Sequence, residues 1–385
     1  MSENVKYVIW GTGIQAAQFS YANRKTLDIE FYIDNAVEEN EWSFFGKKVL
    51  RYDEAENLGL EDYFIILAVT ENTYAVIKEQ LCRAGYNEFE KFAWYQFFFK
   101  KIVLLHGNCH MAIIKRFLLS SKEFFDRYAI YPLPAIQNIQ DKYISKRVLG
   151  NCDLYIHEDI RPDNEFGFEL SDEYILPRLK DECAKITIPN LFGMGQAFFP
   201  QAAGNEYNPA IRGNKDKNGI FPYGDIVIDN AVEKGKSVEE ILSLIEGGPF
   251  SEENIQNSFR LCMSKIQKRE KNWDISIYDF INMNYRKKKL FFDPGHPTNV
   301  VMKEIALGIL KKLEIKDEEI SCKEEMNSHE EFVYDIVRRA LQLEWRDIEI
   351  RKGANGKKLG TRMTREEYVK EYLFWCYGIE GDETD

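Results

Sequence analysis

The sequence lacks the features of membrane-spanning and secreted proteins. It has no run of the ~18 to 20 consecutive apolar residues that a spanning helix needs, and its longest apolar runs, such as Phe64–Val69 and Ile102–Leu105, have the length of strands. Its first residues do not show the basic-then-apolar pattern of a secretory signal. These absences predict a cytoplasmic protein with no membrane span.

Basic charge and paired cysteines are also scarce. Acidic residues outnumber Lys and Arg by 63 to 51, which gives a formal net charge of −12, whereas a general nucleic-acid binder needs a basic excess to displace counterions. The seven cysteines are scattered, with no CxxC and no spacing typical of zinc sites or disulfide frameworks. We therefore expect no nucleic-acid partner and no metal.

The sequence contains enough apolar material for more than one hydrophobic core. Its 385 residues exceed what a single core usually serves, and strand-like and helix-like runs alternate along the chain, which predicts βαβ units and parallel sheets. We predict an α/β fold with a small domain over residues 1–98, a second α/β domain over 99–325 and a helical C-terminal extension over 326–385.

Three later segments also carry structural expectations. Leu290–Phe292 is predicted to be a short strand and Glu330–Trp345 a helix. Residues 204–223 are rich in Gly, Asn and Pro, which predicts a long loop. Because loops of that length are usually functional, this one is a candidate cover for an active site.

A glycine turn, Gly11-Thr-Gly13-Ile-Gln-Ala16, follows the first predicted strand and precedes the first predicted helix. There the backbone can approach a pyrophosphate, with helix N–H groups pointing at the anion. Asp34 ends the second strand, where an acidic side chain would bond ribose hydroxyls. The pattern predicts nucleotide or nucleotide-sugar binding. In the alternative interpretation the glycines only permit a tight turn and Asp34 is a strand-end residue.

The first quarter of the chain resembles the N-terminal domain found ahead of sugar acyltransferases of the PglD type. The matching features are the glycine turn, then Phe31-Tyr-Ile-Asp34-Asn35, Phe45-Gly46-Lys-Lys-Val49 and Ile65-Ile-Leu-Ala-Val69, in that order. The turn departs from the family in lacking a third glycine. The resemblance implies a Rossmann-like module that binds a nucleotide sugar.

Cys109 is the one cysteine whose context suggests chemistry. It follows the predicted strand Ile102–Leu105 in a tight Gly107-Asn108-Cys109 turn, and a predicted helix over His110–Ser120 starts next to it. The free N–H groups and the dipole at a helix N-terminus favour a nucleophilic thiolate and can hold a developing oxyanion. In the alternative interpretation Cys109 is a buried structural cysteine.

A thiolate needs a base or an ion-pair partner, and His296 is the best placed of the five histidines. It lies in the turn Asp293-Pro-Gly-His296-Pro, where the Asp293 carboxylate would orient the imidazole and stabilise its charged form. Asn190 is a candidate second oxyanion donor through its side-chain amide. The alternatives are that Asp293 caps the following helix and that Asn190 only stabilises a loop.

These turns resemble the first and last blocks of the SGNH, or GDSL-like, hydrolases and acyltransferases, with Gly107-Asn108-Cys109 where Gly-Asp-Ser is usual. The departures fit better with the WcbI family of polysaccharide biosynthesis proteins, which open with a strand and Gly-Asn-Cys. That resemblance covers residues 101 to about 315, including Ile188-Pro-Asn190-Leu-Phe and Phe291-Phe-Asp-Pro-Gly-His296-Pro-Thr298. It implies an SGNH-like three-layer catalytic domain and an acetyltransferase-like role in capsule or exopolysaccharide modification, with coenzyme A as ligand.

We therefore predict an acyltransferase. The Cys109 thiolate, or a hydroxyl activated by His296, would move an acetyl group from acetyl-coenzyme A to a sugar hydroxyl, so the partners are a small-molecule acyl donor and a sugar acceptor. A carbohydrate esterase that uses the same residues with water is the second hypothesis, and a non-catalytic nucleotide-sugar binding or scaffold protein is the third. The sequence leaves a homo-oligomer open and does not identify the sugar.

Overall fold

The computed structural model describes residues 5–37, 42–202, 221–316, 319–323, 326, 329–352 and 361–379. Of the long loop predicted over 204–223, all but residues 221–223 lies outside the described residues. The chain divides into two compact units, Met1–His106 with Phe125–Lys185 and Gly107–Phe124 with Ile186–Asp385. The predicted α/β fold with parallel sheets is confirmed.

The first unit begins with a six-stranded sheet. Its strands are β1 (Tyr7–Trp10), β2 (Ile29–Ile33), β3 (Ser43–Phe44), β4 (Lys47–Leu50), β5 (Phe64–Leu67) and β6 (Phe92–Trp94), and its helices are α1 (Ile14–Asn23), α2 (Tyr52–Asn57) and α3 (Glu71–Arg83). The strand order is β3-β4-β2-β1-β5-β6, and every neighbouring pair is parallel except β3 with β4. The order reverses at β1, as in doubly wound sheets.

Helices cover both faces of this sheet. Ala16 and Phe19 of α1 pack on one face, and Ile77 and Leu81 of α3 pack on the other. A parallel strand that is buried on both sides has a continuous apolar run instead of an alternating one, which is why β5 has the sequence Phe-Ile-Ile-Leu. This part of the chain is therefore a three-layer arrangement.

A second, four-stranded sheet follows. Its strands are β7 (Lys101–His106), β8 (Tyr128–Ile130), β9 (Leu154–Glu158) and β10 (Ala184–Ile188), in the order β10-β9-β7-β8. The central strand β7 pairs in parallel with β8 and β9, and the first two residues of β10 end the unit. Helices α6 (Lys146–Asn151) and α7 (Asp172–Ile175) pack on one face through Val148, Leu149 and Ile175.

The second unit is mainly helical. Its helices are α4 (His110–Ser120), α8 (Ile226–Glu233), α9 (Val238–Gly247), α10 (Glu252–Arg269), α11 (Tyr278–Asn284), α12 (Asn299–Lys312), α13 (Asp335–Leu341) and α14 (Arg365–Tyr377), and α5 (Lys122–Arg127) spans the unit boundary. A two-stranded antiparallel hairpin of β11 (Ile350–Lys352) and β12 (Thr361–Met363) lies near the C-terminus. Helices α4 and α12 pack against each other.

Two expected elements differ from the structure. The strand predicted over Leu290–Phe292 is wrong: Phe291 makes a single antiparallel bridge with Pro297, because the chain turns back within a few residues and Phe292 N–H bonds the carbonyl of His296 at 2.9 Å. The helix predicted over 330–345 covers only α13. It ends at Gln342, which has a left-handed backbone with φ of 55°.

Within the described ranges, no helix is long and apolar enough to cross a membrane. Among the same residues, no cluster of three or more His, Cys, Asp or Glu side chains could hold a metal ion.

Candidate active site

Helix α4 places Cys109 at its N-cap position, with helical backbone angles of φ −58° and ψ −19°. The preceding Asn108 holds this end of the helix: its side-chain oxygen accepts from His110 N–H at 2.8 Å, and its carbonyl accepts from Met111 N–H at 3.1 Å. A side chain at the N-cap lies in the positive end of the helix dipole. The half-buried Cys109 thiol therefore lies where negative charge is favoured.

The structure brings Cys109 and His296 together, although 187 residues separate them. Cys109 precedes α4 and His296 lies three residues before α12, and these two helices pack through apolar faces that include Ile114 and Ile305. As a result, the Cys109 Sγ lies 3.7 Å from His296 Nε2. This is hydrogen-bonding distance for a sulfur atom.

Asp293 completes a row of three side chains. Its Oδ2 lies 2.8 Å from His296 Nδ1, and its Oδ1 accepts from the backbone N–H groups of Gly295 at 2.7 Å and His296 at 2.8 Å. The Asp293 side chain is fully buried and that of His296 is 26% exposed. The carboxylate therefore fixes both the ring and the backbone of the turn.

The charged form of His296 is favoured here. Burial alone would lower the pKa of this imidazole, but the hydrogen bonds to Asp293 and Cys109, together with the charges of those two groups, raise its pKa to about 10. Near neutral pH the ring therefore carries a positive charge, and its Nε2 lies 3.7 Å from the Cys109 sulfur.

The turn from Asp293 to His296 is held by hydrogen bonds to each of its last three carbonyl groups. Gly195 N–H bonds the Pro294 carbonyl at 3.1 Å, and Phe292 N–H bonds that of His296 at 2.9 Å. The Gly295 carbonyl lies 3.0 Å from Nε2 of the buried His110. Because Nε2 is then the donor, His110 links the helix that begins after Cys109 directly to the turn that contains His296.

Close packing also fixes this turn. A Cβ on Gly195 would lie 2.5 Å from the Asp293 carbonyl oxygen, and a Cβ on Gly295 would lie 2.7 Å from the Tyr223 hydroxyl. The Tyr223 hydroxyl donates to the Asp293 carboxylate, and burial, followed by the charge of Asp293, raises the pKa of Tyr223. Glycine at these two positions allows the turn to approach its neighbours.

The other predicted site residues have local partners in the described structure. Asn190 Oδ1 accepts from Phe192 N–H at 3.0 Å, so the loop-stabilising contact is present and the oxyanion role stays a prediction. Gly107 joins β7 to the Cys109 turn.

At the N-terminal turn, Asp34 is bonded by the turn itself. Its Oδ2 accepts from the N–H of Thr12 at 3.1 Å and from the hydroxyl of Thr12 at 2.6 Å. Gly11 has φ of +117°, and a Cβ there would lie 2.8 Å from the Ala68 carbonyl, while Gly13 caps α1. These contacts account for a tight turn, and nucleotide binding stays a prediction.

Sequence reasoning missed three residues of the site: His110, Gly195 and Tyr223. The bond of His110 to the Gly295 carbonyl spans 185 residues of sequence. Its position directly after Cys109, one helical turn from the apolar Ile114, was the available signal for burial. Gly195 lies in a short 3-10 helix over Met194–Phe198 and Tyr223 ends the loop predicted over 204–223, and neither carries a motif that distinguishes it.

The chain is similar to a known protein family and to a solved structure. The family model for the polysaccharide biosynthesis enzyme WcbI matches residues 102–318. A solved structure of WcbI, described as the native protein without a disulfide bond between coenzyme A and a cysteine, aligns with a TM-score of 0.61 at 18% identity. The alignment covers 73% of this chain and 91% of that one, and at this identity it shows a shared fold. A search of curated proteins found no match.

The matched segment contains the Cys109 turn, Asn190 and the turn of Asp293 and His296, and it spans more than half of the sequence. The chain belongs to the WcbI family of polysaccharide biosynthesis enzymes.

Proposed function

We propose that this enzyme transfers an acetyl group from acetyl-coenzyme A to a sugar hydroxyl of a polysaccharide precursor. The observation that carries the proposal is the row of Cys109, His296 and Asp293, with 3.7 Å from Sγ to Nε2 and 2.8 Å from Nδ1 to Oδ2. A nucleophile, a base and a carboxylate that orients the base are the parts that acyl transfer requires. The same three roles motivate the comparison with SGNH enzymes.

The reaction would proceed in two steps. In the first, the Cys109 thiolate attacks the carbonyl carbon of the thioester, a new C–S bond forms, and the coenzyme A thiolate leaves with a proton from the His296 imidazolium. In the second, the neutral His296 takes the proton of a sugar hydroxyl, whose oxygen attacks the acetyl carbon and releases the Cys109 thiolate. Asp293 orients the ring and stabilises its positive charge.

Both steps develop negative charge on the carbonyl oxygen. Because His110 N–H and Met111 N–H are bonded to Asn108, we assign the Cys109 N–H as the backbone donor to this oxygen. The oxygen side of the Asn190 amide accepts from Phe192 N–H, so its NH2 side is the second donor in the proposal. Gly107 and Asn108 would position the turn.

Coenzyme A enters the proposal through the comparison structure. The description of that WcbI protein names coenzyme A together with a cysteine, and we take Cys109 to be the corresponding residue here. A thiolate held beside an imidazolium would form a disulfide with the free thiol of coenzyme A when an oxidant such as dissolved oxygen takes up the two electrons. Under reducing conditions it would accept an acyl group from the thioester, with release of the coenzyme A thiol. Either product requires the coenzyme's sulfur to approach Cys109.

For the N-terminal segment we propose a PglD-type, Rossmann-like domain over 1–98 that binds a nucleotide or nucleotide sugar, followed by a catalytic domain over 99–325 and a C-terminal extension over 326–385. Gly11 and Gly13 follow β1, where the strand order reverses, which is the place where such sheets bind nucleotides. Asp34 lies at the end of the adjacent strand β2.

Calorimetric titration of coenzyme A and acetyl-coenzyme A into the wild-type protein and Cys109→Ala tests the donor. We expect both ligands to bind the wild type. Acetyl-coenzyme A should still bind the variant, because Cys109→Ala removes the nucleophile and keeps the rest of the pocket intact. Absence of binding at millimolar ligand would overturn the acyltransferase. Release of acetate from an acetyl ester without transfer to any added sugar would favour the esterase instead.

A further inference from the structure

The first unit contains a cavity of about 520 Å³ whose lining residues are separate from those of the Cys109 site. Its walls come from α3, from the segment that follows β8, and from the start of α6. The segment after β8 leaves the carboxyl end of a parallel strand. In α/β sheets this is the end at which ligands bind.

Lys78, which lines the cavity, forms an ion pair with the buried Glu88 behind the cavity wall. Lys78 Nζ lies 2.7 Å from Glu88 Oε2, and the Tyr131 hydroxyl donates to the same oxygen at 2.9 Å. Tyr74 donates to the other carboxylate oxygen, and Lys78 also donates to the Tyr131 hydroxyl. Glu88 is 6% exposed, whereas the Lys78 side chain retains 30% exposure.

A contribution to folding stability does not explain why Lys78 and Glu88 form an ion pair at this position. Burial raises the pKa of Glu88 to about 8 and lowers the pKa of Lys78 to about 8, because each charge loses its water. Replacement of a buried ion pair by apolar residues is often neutral or stabilising. A perturbed charged pair at the wall of a cavity is instead typical of a ligand site.

The charges around the cavity argue against an anionic ligand. Lys78 is the cation among the lining residues, against two lining residues that carry carboxylates. The lining carboxylates are Glu79 and Asp141, of which Glu79 pairs with Arg83. A phosphate or carboxylate ligand would meet a wall of net negative charge, whereas a neutral ligand would not.

The other lining side chains suit a molecule with an apolar face and several hydroxyl groups. Pro132, Leu133 and Pro134 form an apolar wall, and Tyr143, which is 53% exposed, offers an aromatic face. The Asp141 carboxylate accepts hydrogen bonds, and the ammonium of Lys78 has three N–H donors, of which the contacts above use two. A pyranose ring presents C–H groups on its faces and hydroxyl groups at its edge.

We propose that this cavity binds an uncharged sugar residue of the acceptor, with Tyr143 against a ring face and Asp141 and Lys78 on its hydroxyl groups. The volume lies within the ~300–1,000 Å³ of small-molecule sites. This inference rests on the proposed function and narrows its acceptor to a glycan that contains neutral sugar residues.

Pairs of sugars that share a ring and differ in charge test the proposal. Saturation-transfer NMR on the full chain would compare D-glucose with D-glucuronate, and D-galactose with D-galacturonate. We expect at least one neutral sugar to bind, and its uronate to bind about tenfold more weakly. Tyr143→Ala and Asp141→Asn should each weaken binding of the neutral sugar about fivefold at an unchanged thermal midpoint, whereas Cys109→Ala should leave it unchanged.

Three results would overturn the proposal. Neither neutral sugar binds, or a uronate binds as tightly as the matching neutral sugar, or the wild type and both cavity variants bind the neutral sugar with equal affinity. Acetylation of Cys109 is measured separately. A chain that is acetylated at Cys109 but does not bind the neutral sugars would overturn the cavity assignment alone, and a chain that binds them without acetylation would overturn the acyltransferase alone.

Discussion

Replacement of His110 by alanine would remove the side chain that joins helix α4, which follows Cys109, to the turn that contains His296. In the wild type, His110 Nε2 lies 3.0 Å from the Gly295 carbonyl oxygen, and both groups are buried. The alanine variant leaves that carbonyl without its imidazole donor. The turn must then either keep a buried acceptor unpaired or move so that water reaches it.

The expected change in Cys109 reactivity depends on the free-energy cost of these two outcomes. A buried acceptor without a donor costs about 1–3 kcal/mol, and 1.4 kcal/mol is a factor of ten in an equilibrium. If the turn moves, His296 leaves the position 3.7 Å from Cys109 Sγ in which its charge stabilises the thiolate. We expect His110→Ala to slow the alkylation of Cys109 at neutral pH about tenfold.

Peptide mass spectrometry after timed iodoacetamide treatment across a pH series measures this rate at Cys109, and the exposed Cys82 provides an internal reference. His110→Gln should restore most of the rate, because its amide NH2 can donate to the same carbonyl. His329→Gln is the matched control in the same unit and should behave as the wild type. If His110→Ala labels Cys109 at the wild-type rate over the whole pH series, the positioning argument is refuted.

Three further perturbations have defined outcomes. Asp293→Asn should lower the pKa of His296 from about 10 towards the ordinary imidazole range, since the amide lacks the charge that holds the proton. NMR titration of the His296 imidazole measures this pKa, and an unchanged pKa in the variant would contradict the prediction. Asp225→Asn should flatten the pH dependence of the free energy of unfolding, measured in urea. Burial raises the pKa of Asp225 to about 7, so the folded state keeps a proton that the unfolded state releases near pH ~4. The free energy of unfolding of the wild type therefore falls as the pH rises from ~4 to 7. Gly195→Ala should lower the free energy of unfolding by about 1–3 kcal/mol, because its Cβ would lie 2.5 Å from the Asp293 carbonyl oxygen. The control Gly247→Ala should not lower it, since no atom lies within 4 Å of the new Cβ. Equal thermal midpoints of the two variants would refute the packing argument.

Elements with strong local signals could be predicted from the sequence. Helices α4 and α14 begin and end where the apolar spacing and flanking residues indicate. In α14, Thr364 and Glu367 form a capping box and Gly378 ends the helix in a left-handed conformation. The residues at and next to each helix end determine these boundaries.

Elements decided by distant contacts could not be predicted. The apolar Leu290–Phe292 segment has the composition of a strand, but its backbone closes the His296 turn and bonds Glu331 N–H through the Phe292 carbonyl at 2.8 Å. The turns that contain Cys109 and His296 were recognisable because each is a short motif. Gly195 and His110 act on that turn across long sequence separations, which no local pattern encodes.

Incubation of the reduced protein with acetyl-coenzyme A, followed by peptide mass spectrometry, tests the central claim most directly. The account predicts an acetyl group on Cys109, none on the exposed Cys82, and much slower labelling in His296→Ala because the imidazolium that stabilises the thiolate is lost. Labelling of Cys109 and Cys82 alike, or labelling of Cys109 that does not depend on His296, would contradict the proposed nucleophile.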